Sequence, residues 1–127
     1  MKLVLDTNRY TDFWNSVPDA VRQIADADHV YLPFIVLAEL RGGFRFGTRQ
    51  LENEQALQTF LAKSVVTVLW PDEMTTLHYA AIYAQLRRQG TPIPTNDMWI
   101  AALVLQHGLA LYARDEHFHH LPQLMRV

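Results

Sequence analysis

Apolar positions along the chain fall into two alternating rhythms, short unbroken runs and longer spaced stretches. The runs are Lys2–Leu5, Val30–Leu32, Val65–Trp70 and Leu109–Ala113, each of strand length and rich in branched residues. The stretches between them carry helical spacing. A short helix is predicted over Arg9–Trp14, and a second begins at Pro18, a good first-turn residue, and runs towards Asp28. A third covers Phe34–Phe44, loosened by its glycines, and a fourth Gln50–Ala62 on an apolar side of Leu51, Leu57, Phe60 and Leu61. Asp72–Gln89 follows, with Leu77, Ala80, Ala81, Ala84 and Leu86 as its apolar side and Gly90 as its stop. After a rigid turn at Thr91–Pro94, Asn96–His107 forms a further helix closed by Gly108, and a last helical turn around Glu116–Leu121 leads into the tail. Continuous apolar strands alternating with helices indicate a parallel sheet covered on both faces. The expected fold class is α/β, a three-layer α/β/α sandwich with a central parallel sheet, built as one domain over residues 1–127.

Such sheets bind ligands beyond the carboxyl ends of their strands. Asp6 follows the first strand and Asp115 the last strong one, so both fall on the same edge. Asp97 is placed by lengths. The helix from Asp97 to His107 climbs about 15 Å, and the strand from Leu109 to Ala113 returns roughly 13 Å, which brings Asp115 back to the level of Asp97. Glu39 stands inside Phe34–Leu40, a run apolar on every side, where a carboxylate is costly unless a cation or donor compensates it. Each aspartate also has a simpler reading as a helix cap, and Glu39 as an acid that reaches solvent at an edge. Three aspartates converging on one edge, with a buried glutamate besides, would repel one another and raise one another's pKa values unless a cation sat among them. All-oxygen donors select hard ions, Mg²⁺ or Mn²⁺, and such a centre suits phosphodiester hydrolysis.

Composition narrows the setting. The 127 residues are 50% hydrophobic, enough for a core without disulfides, and the absence of cysteine fits a reducing cytoplasm. The first apolar run is too short for a secretory leader, and no stretch is long enough to span a bilayer, so no membrane partner is expected. A net charge of −2 does not announce nucleic-acid binding, but most of the basic residues are arginine. Arg41, Arg45 and Arg49 repeat every four residues beyond Glu39, and Arg9 and Arg114 flank Asp6 and Asp115. Arginine suits bidentate phosphate contact, although a solvated helix face accounts equally for the first three. His117, His119 and His120 cluster without the partners that a zinc site needs, and His117 is read as packing near the edge. Trp70 and Trp99 are read as core, with Trp14 left open to base stacking.

Four segments, Leu3-Val4-Leu5-Asp6-Thr7-Asn8, Val36-Leu37-Ala38-Glu39-Leu40, Asn96-Asp97-Met98-Trp99-Ile100-Ala101-Ala102 and Arg114-Asp115-Glu116-His117-Phe118, resemble in order and spacing those of the PIN-domain nucleases, and among them the VapC-type toxins of bacterial toxin–antitoxin pairs. The resemblance implies that Asp6, Glu39, Asp97 and Asp115 form a metal-binding quartet for Mg²⁺ or Mn²⁺, helped by the polar neighbours Thr7, Asn8 and Asn96. It implies an endoribonuclease acting on RNA, usually a homodimer, held inactive by an antitoxin protein. Arg9, Arg41, Arg45 and Arg114 are then the candidate RNA contacts. One position departs from the pattern: Ala113 stands where the family usually carries threonine or serine. That departure sustains an alternative, a catalytically silent PIN domain that binds RNA. DNA as the substrate also stays open, because no motif reads the sugar. A receiver-type signalling domain fits the fold class, but it needs adjacent acids after the first strand and a late lysine; this chain has one Asp6 there and only Lys2 and Lys63.

Overall fold

The computed structural model describes residues 1–127 throughout. Five strands, β1 (Lys2–Leu5), β2 (His29–Pro33), β3 (Val66–Leu69), β4 (Ala110–Tyr112) and β5 (Met125–Arg126), form one parallel sheet in the order β3-β2-β1-β4-β5. Six helices flank it: α1 (Thr7–Trp14), α2 (Pro18–Asp26), α3 (Phe34–Phe46), α4 (Gln50–Leu61), α5 (Glu73–Gln89) and α6 (Thr95–His107). A 3₁₀ turn spans Glu116–His120. This is the α/β sandwich expected from the alternating rhythms.

The central strand β1 and its neighbour β4 form the buried middle of the sheet. Leu3, Val4 and Leu5 of β1 are sealed from solvent, with Leu3 opposite Val30 on one side and Ala110 on the other. Five consecutive residues of α6, Ile100 to Val104, are also buried, which explains a helix that is apolar all round. Gly90 and Gly108 end α5 and α6 in the left-handed conformation, at φ +70° and +62°, as their positions forecast.

Several expectations need correction. The tail contributes β5, whose two residues pair with β4 through Ala110–Met125 and Leu111–Arg126. Its signal lies in that tertiary pairing, because two residues carry no local periodicity. Helix α3 runs unbroken through Gly42 and Gly43, since packing outweighs the weak propensity of glycine. Leu51 and Leu77 are exposed, and so are Ala80 and Ala81; the inward face of α5 is Thr75, Ile82 and Leu86. The rhythm was misread there because a polar residue is buried. The Thr75 hydroxyl donates to Gln106 at 2.6 Å and also accepts from the Asp72 amide, so its burial leaves nothing unpaired. Trp70 falls just past β3, 66% exposed and stacked on Phe34, rather than in the core. Trp99 is half-buried against Tyr79 at 4.2 Å between ring centres.

Candidate active site

From β1 the chain builds outwards through β2 and β3, then crosses back to lay β4 on the opposite flank of β1. Connections diverge at this junction, so a crevice opens beyond the ends of β1 and β4. A cleft of about 140 Å³ lies there, lined by Asp6, Thr7, Asn8, Glu39, Asp97, Ile100 and Asp115. All four acids picked from the sequence are thereby brought together. Four larger grooves, of about 220 to 420 Å³, contain none of them, so size is a poor guide to the chemistry here.

Each acid is held differently. Asp6 is 5% exposed and caps α1, with Oδ1 accepting from the Arg9 amide at 2.8 Å and Oδ2 from the Arg114 amide at 3.2 Å. Asp115 caps the 3₁₀ turn by accepting from the His117 amide at 3.0 Å. Capping and cleft lining are therefore compatible: the same carboxylates do both. Asp97, in the first turn of α6, makes no cap bond and instead meets His117 Nδ1 at 3.0 Å. Glu39 accepts from the Thr7 hydroxyl at 2.8 Å, which ties α3 to the start of α1.

The protonation behaviour follows from crowding. Burial pushes the Asp6 carboxyl above its ordinary value against the pull of its two amide donors, and the charge of Asp97 adds to the rise. Burial also raises Asp97; the His117 bond pulls against that rise, and the charges of Asp115 and Glu39 add to it.

Other residues depart from expectation. Glu39 is exposed, as is Ala38 before it, so the argument from a wholly buried helix fails although the residue lines the cleft. Asn8 borders the cleft, whereas Asn96 is half-buried in the first turn of α6 and outside the lining. Arg41 is engaged by both oxygens of Glu54 at 3.1 Å, and Arg49 by Glu52. Arg45 is exposed and makes no ion pair. Arg9 and Arg114 both reach Asp12, at 3.3 and 3.1 Å, a buried acid that sequence reasoning missed. Its spacing of three from Arg9 on one helix was the available signal. His117 touches two of the acids rather than merely packing near the edge.

Fold and cleft together define an α/β domain that gathers carboxylates at the switch point of a parallel sheet. A family model for the PIN domain matches residues 3–124, and the chain belongs to the PIN-domain family, grouping with its VapC members. It is 35% identical over 117 residues to Ribonuclease VapC1 of Haemophilus influenzae strain R2866, covering 89% of this chain and 83% of that protein. It is 31% identical over 121 residues to VapC ribonuclease Y4jK of Sinorhizobium fredii, covering 89% and 86%. Among solved structures, VapBC-1 from nontypeable Haemophilus influenzae is similar at a TM-score of 0.88 and 27% identity, over 100% of this chain and 97% of that one. VapBC2 from Rickettsia felis, bound to a DNA fragment from their promoter, is similar at 0.86 and 25%, over 100% and 98%.

Proposed function

We propose that residues 1–127 form one metal-dependent endoribonuclease unit, the toxin of a toxin–antitoxin pair. The observation that carries this reading is the meeting of four acids in one cleft, in a chain of this family. The donor set fits a hard divalent ion: carboxylate oxygens from four positions, with the two most buried acids both disfavoured in their charged form while no cation balances them. Asp6, Glu39, Asp97 and Asp115 would hold Mg²⁺ or Mn²⁺, which would supply Lewis acidity for a nucleophilic water and positive charge against the phosphate.

The protein's own contribution is placement. Two backbone amides fix Asp6, and the Thr7 hydroxyl orients Glu39. Asn8, at the cleft wall, is positioned to steady a phosphate or water. Arg114 is 55% exposed and holds one edge of its guanidinium on Asp12, leaving its remaining donors for RNA phosphate. Arg45 is a second candidate contact. Arg9 and Arg41 serve RNA less directly, because each is committed to a carboxylate. Ala113 packs against the core rather than lining the cleft, and the four acids converge without a hydroxyl there. That favours an active enzyme over a silent RNA-binding domain.

Two partners complete the proposal. An antitoxin protein covers this chain in the cell, a reading supported by its similarity to VapBC complexes. A second copy covers the exposed apolar residues Met74, Leu77 and Ala81, which share one side of α5. No helix is long and apolar enough to cross a membrane.

The test is incubation of purified protein with mixed cellular RNA and with single-stranded DNA, plus Mg²⁺ or Mn²⁺, alongside chelator and an Asp6→Asn variant. Discrete RNA fragments that vanish in both controls are expected, with DNA left intact. Equal cutting by Asp6→Asn would overturn the assignment, and cleavage of DNA alone would redirect the substrate. Light scattering of the purified protein tests the dimer.

A further inference from the structure

His117 has no part in the reading above, yet it stands among the acids. Its backbone amide donates to Asp115 Oδ1, and its Nδ1 lies 2.8 Å from that same oxygen and 3.0 Å from Asp97 Oδ2. One donor atom from each of the three residues falls within a 4.8 Å group. A neutral imidazole offers at Nδ1 either one proton or one lone pair. One proton cannot bond fully to two carboxylates at once, so the arrangement is a poor hydrogen-bond pair. It is a good ligand set. Adjacent donors of an octahedral ion at about 2.1 Å stand about 3 Å apart, which is the spacing seen from Nδ1 to each oxygen. His119 and His120, both more exposed, do not share it: His119 is engaged by Glu116 and Arg126.

We propose that His117 Nδ1 is a ligand of the metal centre beside Asp97 and Asp115, and that it makes the site select Mn²⁺ over Mg²⁺. Nitrogen donors suit first-row transition ions, whereas Mg²⁺ favours oxygen and retains its waters. The inference rests on the metal-dependent nuclease reading and adds to it a ligand of different chemistry and a preference between ions.

The experiment uses the whole, tag-free chain stripped of metal and titrated with Mn²⁺. Pulsed electron paramagnetic resonance reads whether ¹⁴N couples to the bound ion, and calorimetry gives Mn²⁺ and Mg²⁺ affinities for the wild type, His117→Ala and His117→Gln. Imidazole coupling is expected in the wild type and absent from both variants. The ratio of Mn²⁺ to Mg²⁺ affinity should fall about tenfold in His117→Ala, with most of the change on the Mn²⁺ side. Bound Mn²⁺ without nitrogen coupling in the wild type would overturn the proposal and leave the nuclease reading standing. No Mn²⁺ uptake at all would overturn both. The wild-type spectrum decides the matter even if a variant folds poorly.

Discussion

Replacing Asp12 by alanine removes one carboxylate and strands two guanidinium groups. Their exposures set the magnitude. The Arg114 side chain is 55% exposed, so its pair with Asp12 is screened and contributes less than about 1 kcal/mol. Arg9 is different: its side chain is 21% exposed, its guanidinium lies 4.3 Å from the Tyr112 ring centre, and its Nε is buried without an acceptor. Removing one partner of a fully buried pair costs about 3–5 kcal/mol; allowing for the partial exposure of Arg9, Asp12→Ala should cost about 2–3 kcal/mol. Asp12→Asn keeps the shape and one acceptor and should cost about 1–2 kcal/mol. In urea, with a slope of about 2 kcal/mol/M, the alanine variant's midpoint should fall by about 1–1.5 M. Arg9→Ala should be the costlier of the two arginine truncations. A midpoint for Asp12→Ala within about 0.2 M of wild type would refute the reasoning, since surface changes stay inside that range. An Arg114→Ala loss equal to that of Asp12→Ala would show that exposure has been weighed wrongly.

Other expectations follow from the same structure. Burial, helped by Asp115 and Glu39, holds Asp97 above the ordinary carboxylate range, so the metal-free folded state binds its proton more tightly than the unfolded chain does. That stability is present below about pH 4 and is lost as pH rises through the raised value. Asp97→Asn should therefore raise the melting temperature in chelator at pH 7 and have little effect near pH 3.5; an unchanged or lower value at pH 7 contradicts the argument. Burial and the bond to Asp19 push the Tyr112 phenol up to about 12. Alkaline difference absorbance should show a late-titrating tyrosine that Tyr112→Phe abolishes, and ionisation at the ordinary tyrosine value would disprove it. Gly108 sits at φ +62° with open space where a Cβ would stand, so Gly108→Ala should cost about 1–2 kcal/mol from backbone strain alone, read by urea unfolding. A neutral result would mean that the turn relaxes freely.

Much of the cleft was legible because strand ends and element lengths are one-dimensional quantities. Asp6 and Asp115 follow from where β1 and β4 stop, and Asp97 from the length of α6 against the return of β4. Glu39 lines the cleft, but not as a buried acid: the run around it is apolar, yet its face of α3 opens to solvent beside Thr7. The arginines show a sharper limit. Sequence proximity suggested phosphate contacts for Arg9 and Arg41, but whether a guanidinium is free depends on acids elsewhere in space, and Glu54 lies on a different helix from Arg41. Trp70 was misplaced because one residue at the end of a strand decides between core and surface, a margin that apolar runs do not resolve.

The strand order also sets an order in time. β1 is the first strand to be synthesised and the middle strand of the finished sheet. Its flank towards β4 must wait, and the amide that pins Asp6 belongs to Arg114, 108 residues further on. A nascent chain has the Arg9 amide for Asp6 and the Thr7 hydroxyl for Glu39 early, but the far side of the cleft waits for Arg114 and Asp115, and long-range pairings of this kind close late in folding. A chain that stops short of Arg114 has neither the amide that holds Asp6 Oδ2 nor Asp115, and its cleft is incomplete.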